Sequence, residues 1–103
     1  MRHQYFVYIM ASPSRVIYTG VTNDVYRRAG QHRSRSSPGS FTARHNITRL
    51  VYFESHRYIL NAIAREKEIK GWRREKKLRL IESINPTWTD LTQDSNTLFR
   101  SGR

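Results

Sequence analysis

Between positions 17 and 32, three side chains have the types and spacing needed for a chemical site: Tyr18, Arg28 and His32. Val25 and Ala29 are four residues apart and form a narrow apolar stripe on a predicted helix, and Arg28 and His32 each lie three residues from a member of that stripe. Both polar side chains should therefore border the sheet on which the helix packs. Arg28 is a fixed cation and His32 can change charge near neutral pH, so a strand end would present a phenol, a cation and an imidazole together.

Two short strands and a helix must position these residues. Two runs are rich in β-branched and aromatic residues, Tyr5 to Met10 and Val16 to Val21. A Ser-Pro-Ser turn lies between them, which predicts an antiparallel hairpin. Gly20 is expected to relieve the backbone where the second strand turns into the helix. Asn23 or Asp24 is expected to cap that helix, which should run from Asp24 to about Arg33.

The rest of the chain predicts one more strand and two more helices. Gly71 interrupts the helical pattern, and Pro86 stops it. Trp88 and Leu91 are expected to dock back on the core. The predicted segments are a flexible basic loop at 34–39, an irregular stretch at 41–46, a strand at 50–54, and helices at about 58–70 and 73–84.

The charge of Glu66 does not fit the apolar pattern of its predicted helix. Apolar residues at helical spacing, including Ala62 and Ile69, mark one face of that helix, and Glu66 falls in the middle of this face. An ionised carboxylate aimed inward needs a cation beside it, which could be an arginine, a lysine or a metal ion. An ion pair with Lys70 or Arg65 is as well supported by the helix pattern as a metal site.

Composition restricts the class of protein. A chain of 103 residues can bury one modest core, so one domain is expected. The absence of cysteine excludes a disulfide framework and a thiolate site and fits a reducing compartment, so we expect a cytoplasmic protein. A net charge of +11 favours a polyanionic partner. Nucleic acid is favoured over a membrane because no basic amphipathic segment has an apolar face for insertion.

Several motifs together resemble the GIY-YIG nuclease domain. The resemblance rests on Phe6-Val7-Tyr8, then Tyr18-Thr19-Gly20, followed by Arg28, His32 and a helical Glu66. The chain looks most like the small stand-alone members related to the N-terminal nuclease domain of the incision component of excinuclease ABC. The resemblance covers roughly residues 5–91, which implies a nuclease domain at 1–91. Residues 92–103 are polar and lack a period, which predicts a loose polar tail. The resemblance implies an α/β (α+β) fold with a small, mainly antiparallel three-stranded sheet flanked by helices.

The resemblance also implies a role for each residue of the motif. Glu66 would hold a divalent metal, Mg²⁺ or Mn²⁺, that acts as a Lewis acid. Arg28 would hold the phosphate, and Tyr8 would activate the attacking water. For that role the pKa of Tyr8 must be perturbed by nearby positive charge. Tyr18 and His32 would orient the water or the phosphate. The chain departs from the family pattern at Phe6, Thr19 and Val21, the last of which stands where some repair nucleases have a lysine.

Each of these assignments has a structural alternative. Tyrosines are common packing residues in strands, and a lone histidine is more often solvated than catalytic. Trp72 could stack on a base or pack between helices. His45 is expected at the surface. Asn85 matches a late asparagine of the family, but its spacing from the other motif residues leaves that match open. The expected nucleic-acid contacts are Arg27, Arg33, Arg35, Arg44, Lys70, Trp72, Arg73, Arg74, Lys76 and Lys77.

Two functional classes follow from the residues. The first is a metal-dependent endonuclease that hydrolyses phosphodiester bonds of nucleic acid, with DNA the expected substrate and repair or processing the expected setting. The second is a non-catalytic module that keeps the nuclease fold and binds nucleic acid. The intact Tyr, Arg, His and Glu set favours the enzyme. The oligomeric state is left open, with a monomer slightly favoured.

Overall fold

A three-stranded antiparallel sheet forms the centre of the protein. The computed structural model describes residues 4–34 and 40–93, and the sheet order is β2-β1-β3. The strands are β1 (Tyr5–Ala11), β2 (Ile17–Thr22) and β3 (Arg49–His56). β1 pairs antiparallel with both neighbours. The predicted fold class is therefore confirmed, and the third strand is longer than its apolar run because charged residues extend it at both ends.

The central strand divides the core into two halves. Val7 and Ile9 point to one face of the sheet, and Tyr8 and Met10 point to the other, since side chains alternate along a strand. All four are almost completely buried. We refer to the side with Val7 and Ile9 as the α3 face and to the side with Tyr8 and Met10 as the α1 face.

The helices cover these two faces separately. The elements are α1 (Val25–Ser34), α2 (Phe41–Arg44), α3 (Ile59–Lys70) and α4 (Arg74–Ile84). α1 packs Val25 and Ala29 on the α1 face, as the stripe predicted. α3 and α4 bury Ala62, Ile69 and Ile81 in the half of the core on the α3 face. The site residues on α1 are therefore fixed against Tyr8.

The ends of the helices follow local hydrogen bonding. The side chain of Asp24 accepts a hydrogen bond from the backbone N–H of Arg27 at 3.1 Å, which caps α1 as predicted. The prediction of an irregular stretch at 41–46 is wrong in part, because Phe41–Arg44 forms one helical turn. The hydroxyl of Ser40 accepts from the N–H of Ala43 at 3.2 Å and stabilises that turn. None of the described helices is long and apolar enough to cross a membrane.

The segment after α4 closes the core beside β3. Trp88 is buried, and its Nε1 donates to Glu82 at 2.9 Å. The N–H of Leu91 donates to the carbonyl of Leu50 at 2.8 Å, so the expected docking of Trp88 and Leu91 is confirmed. Asn85 is also buried, and its amide bonds to the carbonyl of Val51 at 3.0 Å. Of the tail predicted at 92–103, residues 94–103 lie outside the described part of the chain.

Candidate active site

The hydroxyl of Tyr8 is the centre of the candidate site. Its side chain projects from the middle of the sheet towards α1, and only 1% of the residue is exposed. Arg28 Nε donates to the Tyr8 hydroxyl at 3.2 Å, and His32 Nε2 lies 3.1 Å from the same oxygen. A strand residue and two residues one turn apart on a helix thus meet at one atom. The prediction that Arg28 and His32 border the sheet is confirmed.

Gly20 makes room for the Tyr8 ring. The prediction that Gly20 serves a turn is wrong, because Gly20 lies inside β2 and pairs directly with Tyr8 in the register of the sheet. A Cβ atom at position 20 would lie 2.6 Å from the Tyr8 hydroxyl oxygen and 2.7 Å from Cζ. No real Cβ tolerates such contacts, so the ring can lie across β2 only when residue 20 has no side chain.

We expect Gly20→Ala to impair folding and also the cleavage that the resemblance to a nuclease implies. The added methyl group must push the Tyr8 ring away from Arg28 and His32, and a displacement of about 1 Å at a reacting group can cost about 100-fold in rate. Overpacking of a tight core site should also cost about 1–3 kcal/mol of unfolding free energy. Thermal unfolding and cleavage rate per folded molecule measure the two effects.

Gly30→Ala is the matched control, because a Cβ at position 30 meets nothing within 4 Å. Alanine in the middle of α1 should leave cleavage unchanged and stabilise the protein by up to about 1 kcal/mol. Cleavage by the Gly20→Ala protein at the wild-type rate would show that the position of the Tyr8 ring does not matter.

Tyr18 completes a ring cluster around His32. The centroid of the Tyr18 ring lies 5.4 Å from that of His32 and 6.3 Å from that of Tyr8. Gln31 belongs to the same surface, because its Oε1 accepts from Arg28 Nη1 at 3.1 Å. The sequence reasoning missed Gln31, although its spacing of three residues from Arg28 on a helix was a usable signal. Gln31 and Tyr8 together hold the Arg28 guanidinium from two sides.

The environment of the cluster sets its protonation. Burial and then the charge of Arg28 lower the pKa of His32 to about 4, so His32 is neutral at pH 7. The expectation that His32 changes charge near neutral pH is therefore wrong. Burial raises the pKa of Tyr8, and the hydrogen bond and charge of Arg28 offset this only in part. Because Arg28 can only donate, the Tyr8 hydroxyl accepts from Arg28, and in the His32 tautomer that carries its proton on Nδ1 it donates to Nε2.

Glu66 lies beside this cluster and forms an ion pair with Lys70. Lys70 Nζ lies 2.5 Å from Glu66 Oε2, and the Glu66 side chain is 15% exposed. Lys70 Nζ also lies 5.8 Å from the centroid of the Tyr18 ring, and the Glu66 charge contributes to raising the pKa of Tyr8. Of the two cations that the sequence left open, Lys70 is the partner. Arg65 instead binds Glu54 on β3 at 2.9 Å.

The donor set around Glu66 fits Mg²⁺. Residues 4–34 and 40–93 contain no group of three or more His, Asp or Glu side chains that could hold an ion by themselves. One carboxylate is nevertheless enough for Mg²⁺, which keeps several waters and takes further oxygens from a substrate phosphate. The Glu66 carboxylate is also not locked into the fold, since its partner Lys70 is half-exposed.

Comparison with known proteins identifies the family of this chain. Residues 4–79 match the family model of the GIY-YIG catalytic domain. The chain belongs to the GIY-YIG family. It is 36% identical over 93 residues to a UPF0213 protein of Haloquadratum walsbyi, covering 90% of this chain and 99% of that protein. It is 38% identical over 78 residues to a UPF0213 protein of Staphylococcus aureus, covering 76% of this chain and 94% of the relative.

A solved structure confirms the fold of this GIY-YIG domain. The solution NMR structure of a UPF0213 protein from Bacillus halodurans matches with a TM-score of 0.55 and 29% identity, over 89% of this chain and 97% of that chain. The resemblance seen in the motifs is thus confirmed as family membership. None of these relatives' names states a reaction.

Asn85 and His45 have structural positions in this GIY-YIG protein. The Asn85 amide also donates to the carbonyl of Thr89 at 2.9 Å, and its oxygen accepts from the N–H and the hydroxyl of Thr89, each at 3.1 Å. Asn85 therefore ties the segment after α4 to β3. His45 is exposed and packs against Phe41 with ring centroids 4.4 Å apart, which agrees with the surface position expected for it.

Trp72 is covered by cations. Its ring packs on the core of the α3 face, with Lys76 Nζ 4.3 Å and Arg65 Cζ 5.2 Å from the ring centroid. Of the two predicted roles for Trp72, the structure favours packing between helices over stacking on a base. Lys76 thereby has a structural contact of its own.

The predicted phosphate contacts lie on several surfaces. Arg27 and Arg44 are exposed on α1 and α2. Arg33 Nη1 is bonded to the Thr92 hydroxyl at 2.7 Å, so it holds the segment after α4. Arg35 lies outside the described residues. The densest group is at the junction of α3 and α4, which adjoins the Tyr18 ring through Lys70 and comprises Lys70, Arg73, Arg74, Lys76 and Lys77.

Proposed function

We propose that this GIY-YIG protein is a divalent-metal-dependent endonuclease that hydrolyses phosphodiester bonds, with DNA as substrate and DNA repair or processing as its setting. The observation that carries the proposal is the Tyr8 hydroxyl, which is held between the Arg28 cation and a neutral His32. Phosphodiester hydrolysis needs a group that takes a proton from water, a cation for the phosphate oxygens and help for the leaving oxygen. The site offers the first two side by side.

Arg28 supplies the phosphate-binding charge in this proposal. Its guanidinium is exposed on α1, while its Nε and Nη1 are oriented by Tyr8 and Gln31. A guanidinium fixed in this way can bind two non-bridging phosphate oxygens, and it stays charged at every physiological pH. Because Arg28 contacts Tyr8 directly, a phosphate bound to Arg28 is placed next to the Tyr8 hydroxyl.

Tyr8 and His32 form a route for the proton. As the water attacks phosphorus, the P–O bond to the leaving group breaks and the leaving oxygen departs with the bonding electron pair. The proton of the water passes to the Tyr8 oxygen, and the proton of Tyr8 passes along the 3.1 Å contact to His32 Nε2, which is unprotonated in the Nδ1–H tautomer. In the free protein this transfer is opposed, because burial and the Arg28 charge lower the pKa of His32. A bound phosphate anion compensates the Arg28 charge and so makes His32 a better proton acceptor when substrate is present.

Glu66 is the residue that would hold the metal. When bound, a divalent ion would act as a Lewis acid on the phosphate oxygens and the leaving oxygen. The low exposure of Glu66 and its electrostatic effect on Tyr8 support this role. The basic residues at the junction of α3 and α4 continue the positive surface away from the site, as a backbone-tracking nucleic-acid interface requires.

A cleavage assay with purified protein tests the proposal. Labelled single-stranded, double-stranded and branched DNA, with matched RNA, are incubated with Mg²⁺, Mn²⁺ or EDTA. We expect cutting of DNA with either ion and none in EDTA, because the carboxylate of Glu66 has a role in hydrolysis only through an ion. A protein that binds these oligonucleotides but cuts none of them with any divalent ion would instead be the non-catalytic binding module.

A further inference from the structure

The ammonium group of Lys70 has two neighbours. Its Nζ lies 2.5 Å from Glu66 Oε2 and 5.8 Å from the centroid of the Tyr18 ring. The Lys70 side chain is 50% exposed, whereas that of Glu66 is 15% exposed. The ammonium therefore covers a carboxylate that is otherwise mostly enclosed, at the border between that carboxylate and the tyrosine cluster.

The ion pair between Lys70 and Glu66 can be exchanged because its cation is half-exposed. Water screens the ammonium there, so the attraction between a Glu and a Lys four residues apart on a helix is modest. A divalent ion carries twice the charge and binds carboxylate oxygen directly, so it outcompetes the ammonium. Once released, the flexible Lys70 side chain is still anchored on α3 beside Tyr18, where its compact charge can bind phosphate.

We propose that Lys70 is an exchangeable counter-ion of the site, which neutralises Glu66 in the metal-free protein and moves to the substrate phosphate when a divalent ion binds. This inference rests on the proposed function, because it takes Glu66 as the metal-binding residue. It gives Lys70 two alternative partners, and the metal selects between them. Metal binding and nucleic-acid binding would thereby be coupled through one side chain.

Binding of Mn²⁺ tests the first half of the exchange. The ion is titrated into wild-type protein and into Lys70→Gln without nucleic acid, by calorimetry or by loss of the free-ion electron paramagnetic resonance signal. We expect Lys70→Gln to bind Mn²⁺ about three- to tenfold more tightly, because a competitor and a like charge are both removed. Lys67→Gln removes the same charge from an exposed position of the same helix and should leave the affinity within about twofold.

Nucleic-acid affinity tests the second half of the exchange. Oligonucleotide binding is measured with Mn²⁺ and with EDTA in a Tyr8→Phe background, in which cutting should be slow relative to the measurement. Lys70→Gln should weaken binding about three- to tenfold with Mn²⁺ and by less than about twofold in EDTA, where Lys70 is held by Glu66. An equal loss in both conditions would make Lys70 an ordinary surface contact and overturn the exchange.

The possible failures are separable. If wild-type protein binds Mn²⁺, Glu66→Gln abolishes this binding and Lys70→Gln leaves it unchanged, the exchange is wrong while the metal assignment stands. Binding of Mn²⁺ by Lys70→Gln but not by wild-type protein supports the exchange. If both binding tests give the expected results but no substrate is ever cut, the exchange stands and the proposed hydrolysis fails. If neither protein binds Mn²⁺, both proposals fall.

Discussion

Glu66→Gln should lower cleavage by two or more orders of magnitude while leaving the protein folded and able to bind nucleic acid. The substitution keeps the shape of the side chain but removes the charge that would hold the metal. The Lewis acid contributes several kcal/mol of transition-state stabilisation, and about 1.4 kcal/mol is already tenfold in rate. Of the basic residues at the junction of α3 and α4, only Lys70 loses a partner, and it keeps its charge, so binding should survive. Single-turnover cleavage, oligonucleotide affinity and thermal unfolding are the three measurements.

Glu68→Gln is the matched control for this prediction. Glu68 lies two residues further along α3 and also has a cationic partner, since its Oε1 accepts from Arg65 Nη1 at 3.0 Å. Glu68→Gln therefore removes a similar ion pair from the same helix without touching the site, and cleavage should be unchanged. If instead Glu66→Gln lowers stability and leaves cleavage per folded molecule nearly intact, Glu66 is only half of a structural ion pair.

Tyr8→Phe should reduce cleavage by about 100- to 10,000-fold, which is the usual contribution of a positioned proton-transfer group. The ring remains and still fills the space over Gly20, so the sheet keeps its packing. The lost hydroxyl leaves His32 Nε2 without its partner, which should cost about 1–3 kcal/mol of unfolding free energy because His32 is buried. Single-turnover rates and denaturant unfolding separate the two effects.

Tyr52→Phe isolates the cost of losing a buried tyrosine hydroxyl. Tyr52 is also buried in the sheet, lies opposite Ile9 on the α3 face, and donates to Glu54 Oε1 at 2.5 Å. Removal of the Tyr52 hydroxyl should lower the unfolding free energy by a similar amount and leave cleavage at the wild-type rate. Equal cleavage by the two variants would exclude Tyr8 from the proton route and leave it as a packing residue.

The arrangement of the elements could be predicted from sequence because it rests on short-range patterns. The apolar stripe of Val25 and Ala29 showed which face of α1 packs on the sheet. It thereby predicted that Arg28 and His32 border the sheet. Asp24 and Gly71 marked helix ends by chemistry that acts within a few residues. Glu66 could be singled out because a carboxylate in the middle of an apolar face conflicts with that face.

Features that depend on neighbours distant in sequence were not predictable in the same way. Gly20 has the composition of a turn residue, and only the strand register shows that its missing side chain accommodates Tyr8. The low pKa of His32 follows from burial and from Arg28, neither of which its sequence spacing could quantify. The partner of Glu66 stayed open between two cations because both lie within reach along the helix, and Glu54 on a distant strand takes Arg65.

The segment after α4 protects the sheet against association. β3 is an edge strand, and such a strand offers unpaired backbone groups to any other chain. Here the N–H of Leu50 donates to Asp90 at 3.3 Å, its carbonyl accepts from Leu91, and the carbonyl of Val51 accepts from Asn85. All three partners lie beyond residue 79, where the family match ends. A fragment cut at that boundary would leave this edge of β3 bare, and a bare apolar edge is prone to aggregation.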